Sequence, residues 1–318
     1  IWIGTFNGLN RYNKSTGLFQ NHTANDIQTD GLTHSSIWCI VKDNQGTLWL
    51  GTYFGGVNYF NPEYEIYTRY SYSSNEKKGL SNPVVGRTIE DKNGNLWIGT
   101  EGGGLNYYNR RTREFKWYRP QEGRNSISHN NVKALYYDAD KEIIWIGTHL
   151  GGLNKLDIRS GHFTHYRMEG NNPQSLPSDI IRDITPYKDL LIIATQNGVC
   201  LFNPANGQCR QLFKDSKEGK SIKMVADVVF DSEGTLWIAA TGEGVFSYRF
   251  DTRKLTNYRH DAANPNSLSN NNVNNITQDS KGNLWFSTSG SGLDLYRPET
   301  NDFENFDKGK NGLASDCI

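Results

Sequence analysis

The 318 residues include 34 basic and 34 acidic side chains, so no global field draws the chain toward nucleic acid or an anionic membrane. No apolar run approaches the roughly 18 residues that span a bilayer, no signal peptide opens the chain, and four cysteines without a CxxC spacing exclude a zinc or disulfide scaffold. An aromatic content of 12% with 32 glycines and two methionines favours strands and tight turns over helices.

One phrase recurs along the chain: Ile1-Trp2-Ile3-Gly4-Thr5, Leu48-Trp49-Leu50-Gly51-Thr52, Leu96-Trp97-Ile98-Gly99-Thr100 and Ile144-Trp145-Ile146-Gly147-Thr148. It then decays through Leu191-Ile192-Ile193-Ala194-Thr195 and Leu236-Trp237-Ile238-Ala239-Ala240 to Leu284-Trp285-Phe286-Ser287-Thr288. The central residues are spaced by 45 to 48 positions, the period of a single supersecondary unit repeated about an axis. A repeat array of this kind forms one body, so residues 1–318 are read as a single domain.

The second repeat shows how a unit folds. Ile37 to Lys42 is a first strand, Asp43-Asn44-Gln45-Gly46 a tight turn, and Leu48 to Thr52 a second strand. Gly55-Gly56 turns the chain into Val57 to Phe60, Asn61-Pro62-Glu63 turns it again, and Glu65 to Tyr70 alternates apolar and polar residues as a fourth strand. The Asp-to-Gly turn recurs at Asp91, Asp231 and Asp279, where the aspartate closes the turn in a structural role. Four strands per unit and seven units predict an all-β, seven-bladed propeller with four-stranded antiparallel blades, each tryptophan filling the gap between neighbouring blades. The chain starts at a second strand and ends at Ile318, five residues past Leu313, just as Ile37 follows Leu32 and Val273 follows Leu268. One blade therefore lacks its innermost strand, and the chain is expected to be part of a longer one.

Cys200 and Cys209 flank the turn Asn203 to Gly207 and could be bridged in an oxidising compartment; the plainer expectation is two small buried residues. The basic run Arg110-Arg111-Thr112-Arg113 with Lys116 reads as a solvated outer rim, with Trp117 and Tyr118 beside it as an alternative docking patch.

The run D-x-x-G-x-L-W-I-G-T, the following G-G-L-N-x-Y and the link S-L-S-x-N-x-V occur together in Asp91 to Tyr107, Asp279 to Tyr296 and Ser267 to Val273. In this combination the chain resembles the two-component regulator propeller repeats. That resemblance implies the periplasmic sensor region of a hybrid two-component system of Bacteroides type, in which two propellers and a β-sandwich module precede a membrane span and a histidine kinase. It implies an oligosaccharide ligand, control of polysaccharide-utilisation genes, the adjacent propeller and β-sandwich module as partners, and a dimeric parent. No cofactor, metal, nucleic acid or direct membrane insertion is implied.

The loops after the second strands share a face with the links between blades, and there the residues vary while their frame repeats. Tyr53, Phe54, Glu101 and His149 combine flat apolar faces with hydrogen-bonding groups, which suits a sugar ring. Arg87, Lys133 and Arg182 interrupt first strands, either lining the central channel for an anionic sugar or pairing between blades with Asp183 or Asp227. A propeller lyase or glycan-active enzyme is the first competing function, with Glu101, His149 and Glu243 on the right face but no recognisable catalytic motif. A protein-interaction scaffold is the second.

Overall fold

The computed structural model describes residues 1–24, 31–61 and 66–318. Seven antiparallel sheets follow one another along the chain, and within each the strands lie side by side in sequence order. This is the expected seven-bladed β-propeller. Blade 1 has three strands, Trp2–Thr5, Gly8–Asn13 and Leu18–His22, and the other six have four. In blade 2 these are Ile37–Lys42, Leu48–Thr52, Val57–Asn61 and Ile66–Tyr70; the turn read at Asn61-Pro62-Glu63 lies mostly outside the described residues. Among the described residues no helix is long and apolar enough to cross a membrane. The chain forms two compact units, one of residues 2–11 and 20–166, the other of residues 1, 12–19 and 167–318.

Each residue of the repeated phrase has a physical task. Its apolar members are buried in blades 2 to 7, and several of its tryptophans pack on the following blade. Trp49 joins Val85, Leu96 and Ile98, Trp97 joins Val132, Leu135 and Ile144, and Trp237 joins Val273, Ile276 and Phe286. The glycine lets that blade approach: a Cβ on Gly51 or Gly99 would lie 2.6 Å from a methyl of Val85 or Val132. The threonine hydroxyl donates across the hairpin to the carbonyls of Gly56, Gly104 and Gly152 at 2.8 to 2.9 Å, satisfying a buried pair of polar groups.

The turn aspartate is tied to the tryptophan six residues later. In blades 2, 3, 6 and 7 its Oδ1 accepts two backbone amides of the turn, while Oδ2 accepts the indole N–H at 2.8, 3.3, 2.8 and 3.0 Å. Blade 5 lacks both partners. Ile192 stands for the tryptophan, the turn is Tyr187-Lys188-Asp189 with Lys188 left-handed at φ 55°, and Tyr187 stacks on Phe230 and Phe250 at 5.0 and 4.4 Å. Burial alone would push the Asp279 carboxyl upward, yet Lys14 at 2.5 Å, Asn283 and Trp285 hold it well below the usual carboxylate range.

The links into blades 2, 3 and 4 are each pinned by an asparagine of that blade's third strand. Oδ1 of Asn58, Asn106 and Asn154 accepts the backbone amide of Thr33, Ser81 and Ser128 at 3.0, 2.8 and 2.9 Å. Blade 7 has Asp294 instead, which accepts both the amide and the hydroxyl of Ser269 at 3.0 Å and the side chain of Asn305 at 2.7 Å. Burial raises its carboxyl to about 6 against the lowering effect of those bonds.

Two expectations need correction. Cys200 and Cys209 are disulfide-bonded, with Cα atoms 6.0 Å apart, because the hairpin register sets Phe202 opposite Cys209 and brings Cys200 diagonally within reach. Arg110 is not part of a solvated rim. Its guanidinium lies 4.9 Å over the Trp49 ring and donates to Asp43 at 2.9 Å, clamping blade 3 onto blade 2. Lys14 holds the same position in blade 1, just after the strand Gly8–Asn13 that matches the third strand of other blades, and makes the corresponding bond to Asp279 of blade 7.

Candidate functional site

The first strands of blades 2 to 7 share an irregularity that the sequence pattern did not reveal. Pairing with the second strand shifts by one residue immediately after the opening residue, so that Ile37 pairs Thr52 but Cys39 pairs Gly51. The same shift follows Val132, Ile181, Val225 and Val273, and in blade 3 it falls between Val85 and Thr88, with both Gly86 and Arg87 outside the ladder. A β-bulge of this kind re-aims the extra side chain. The six residues in that place are Trp38, Gly86, Lys133, Arg182, Ala226 and Asn274.

Bulge side chains meet the residue that directly follows a second strand. In the unit of residues 2–11 and 20–166, Trp38 stacks on Tyr53 of its own blade at 5.1 Å and 13°, and meets Phe6 of the preceding blade edge-on at 6.3 Å. Its indole N–H donates to Ser36 at 3.2 Å. Lys133 forms an ion pair with Glu101 of the preceding blade. In the other unit Arg182 donates to Gln196 at 3.4 Å, and Asn274 accepts from Ser289 at 3.0 Å, both partners following a second strand. Trp38, Lys133, Arg182 and Asn274 thus each stand beside a loop that follows a second strand.

Tyr53 and Phe54 have ring centroids 4.2 Å apart, and Phe54 also meets His34 at 6.1 Å. Phe6, Trp38 and Phe54 are 55%, 44% and 57% exposed, so this cluster is a surface rather than core. Glu101 and His149 occupy the matching positions in blades 3 and 4, where their amides donate to the carbonyls of Val84 and Asn131 at 3.0 Å. Arg87 lies within the shifted segment of blade 3, between Val85 and Thr88, and Arg182 is the bulge residue of blade 5, in the other unit.

Sequence reasoning missed Trp38. An aromatic at the second position of a first strand, where Lys133 and Arg182 stand in other repeats, was the available signal. Asp183 accepts the Val228 amide at 3.4 Å, and Asp227 accepts the Ile276 amide at 2.7 Å and the Asn275 side chain at 2.9 Å. They tie each first strand to the next. Among the described residues no group of three His, Cys, Asp or Glu is placed to hold a metal.

The two-component regulator propeller model matches residues 31–54, 79–102, 126–149 and 267–290, the links and first two strands of blades 2, 3, 4 and 7. The extracellular domain assigned to the hybrid two-component system BT3049 of B. thetaiotaomicron is similar at 24% identity over 87% of this chain, with a TM-score of 0.71. That assigned to BT4673 of the same organism is similar at 22% identity over 98% of this chain, with a TM-score of 0.62. The chain spans 35% and 47% of those two chains. A catalytically inactive virginiamycin B lyase from Staphylococcus aureus, crystallised with quinupristin, shares the fold at 13% identity and a TM-score of 0.67, over 92% of this chain and 89% of its own. No curated protein sequence matches.

Proposed function

We propose, from the premise that this chain is a two-component regulator propeller, that it is the extracytoplasmic ligand-sensing part of a hybrid sensor kinase and binds a glycan-derived oligosaccharide. The observation that carries this reading is the exposed cluster of Phe6, Trp38, Tyr53 and Phe54, on the face where the repeats cease to resemble one another. Aromatic faces at the surface, flanked by charged and amide groups, match the alternating apolar and hydroxylated faces of a sugar ring. Tyr53 and Phe54 supply stacking surface, Glu101, His149 and Arg87 supply hydrogen bonds, and Arg182 offers a donor of the same kind on its own unit. The Cys200–Cys209 bridge supports an oxidising, periplasmic location.

In this reading the chain performs no chemistry. The kinase, the adjacent propeller, the β-sandwich module and the dimer contacts belong to the parent protein, and ligand occupancy reaches polysaccharide-utilisation genes through them. The test is a thermal-shift screen against glycan oligosaccharides, since a ligand above its dissociation constant raises the melting temperature. Stabilisation without turnover supports the sensor; hydrolysis or elimination of the same sugar would make the chain an enzyme.

A further inference from the structure

The bulge position of blade 3 is a glycine. Trp38, one blade earlier, lies between the residues that follow the second strands of the preceding blade and of its own, Phe6 and Tyr53, and touches both. By the same repeat, Gly86 aligns with Trp38 and lies between Tyr53 and Glu101 without putting a side chain there, while Arg87 beside it also stands outside the ladder. The result is a notch. Tyr53, backed by its stack on Trp38, forms one wall, and Glu101 with its ion-pair partner Lys133 forms the other.

No left-handed backbone demands a glycine at this position, because Gly86 is not among the glycines with positive φ. A Cβ would lie 3.1 Å from the Val132 carbonyl oxygen, a tight approach that a small shift relieves. Among the other five bulge residues only Ala226 is comparably small, and the matching neighbours there are Gln196 and Thr241, with neither a ring nor an ion pair. The Gly86 position alone combines a missing side chain, an aromatic wall and a paired donor and acceptor.

We infer that the Gly86 notch is the subsite that selects the ligand, and that it takes one neutral sugar residue with adjacent hydroxyl groups. This rests on the sensor reading given above. The Tyr53 ring offers a surface for the apolar face of the sugar. Glu101 accepts from one hydroxyl while Lys133 donates to its neighbour, and both remain satisfied if they part slightly to admit the sugar. The class of sugar follows from charge. Lys133 is already neutralised by Glu101, and Arg87 beside Gly86 has a partner of its own, so an anionic sugar would have to break an existing interaction and sit beside the Glu101 carboxylate, whereas a neutral diol keeps the balance of charge.

The test is isothermal titration of the wild-type chain with neutral gluco-, manno-, xylo- and galacto-oligosaccharides and with oligogalacturonides as the anionic counterpart. A neutral oligosaccharide should bind. Gly86→Leu, which fills the notch, should weaken it about tenfold or more, as should Lys133→Met and Glu101→Gln, each of which removes one charge-assisted bond. Ala226→Leu, the same change at the same place in blade 6, should leave affinity unaltered. The Lys133 and Glu101 variants keep the test decisive should Gly86→Leu fail to fold. Undiminished binding by the Lys133 and Glu101 variants overturns the notch while the sensor reading stands, and binding of oligogalacturonides alone overturns the neutral assignment. If the wild type binds no saccharide, the sensor reading falls and the notch with it.

Discussion

The indole N–H of Trp49 donates to Oδ2 of Asp43 at 2.8 Å, and Arg110 of the next blade shares the same oxygen at 2.9 Å. A carboxylate that is wholly buried as a side chain thus closes its own turn, orients the tryptophan and anchors a neighbouring blade.

Asp43→Ala should therefore destabilise the fold by about 2–4 kcal/mol, because it strands the turn amides, the indole and a half-buried guanidinium together. Urea unfolding measures this. Asp43→Asn, which keeps an acceptor but not the charge, should fall between the two. Trp97→Ala should cost about 3–5 kcal/mol by opening a cavity between blades 3 and 4. Wild-type stability in either alanine variant would remove the packing role assigned to the phrase.

Replacing Tyr53 and Phe54 together with alanine should abolish sugar-induced stabilisation without lowering the melting temperature of the unliganded chain by more than a few degrees. Trp38→Ala should do the same, because Tyr53 loses the ring on which it stacks. Thermal-shift curves with and without oligosaccharide separate the two effects. A retained ligand shift in both variants would move the site elsewhere.

The Asp294 carboxyl, raised to about 6 in the fold by burial, takes up a proton more readily folded than unfolded. Its contribution favours the fold fully below about pH 4 and is lost as pH rises through about 6. Asp294→Asn restores the residue type of Asn58, Asn106 and Asn154, and should stabilise the protein by about 1–3 kcal/mol at pH 7.5 while leaving stability at pH 4 nearly unchanged. Urea unfolding across pH 4 to 8 checks this. A variant whose pH dependence parallels the wild type would show that Asn305 and Ser269 already compensate the buried charge.

The nine-residue separation of Cys200 and Cys209 closes a short loop, so reduction or Cys209→Ser should cost about 2–3 kcal/mol. Melting with and without reductant reports it, and an unchanged melting temperature would show that the hairpin holds its form without the bridge.

The blade count and the strand order were legible because the tryptophan phrase, its turn aspartate and the paired glycines repeat together over a fixed interval. What escaped were features whose partners lie on another strand or blade. Arg110 sits in a run of basic residues that looks like a solvated rim, and only the approach of Trp49 and Asp43 from blade 2 reveals its task. Cys200 and Cys209 depend on a diagonal register that turn residues do not specify. Trp38 hid inside an apolar strand, since a one-residue bulge shifts the phase of the alternation there and turns that one side chain toward the loops. Tyr53, Phe54 and Glu101 were found as loop residues, but the ring that supports one and the cation that pairs the other came from first strands.

The bulges give this architecture a form of independence between its parts. A residue inserted outside the ladder is excused from the alternation that fixes its neighbours, so tryptophan, glycine, lysine, arginine, alanine and asparagine can all stand there over an unchanged sheet. A lineage of such proteins could thus acquire new ligands one substitution at a time, with the stability of each blade inherited intact.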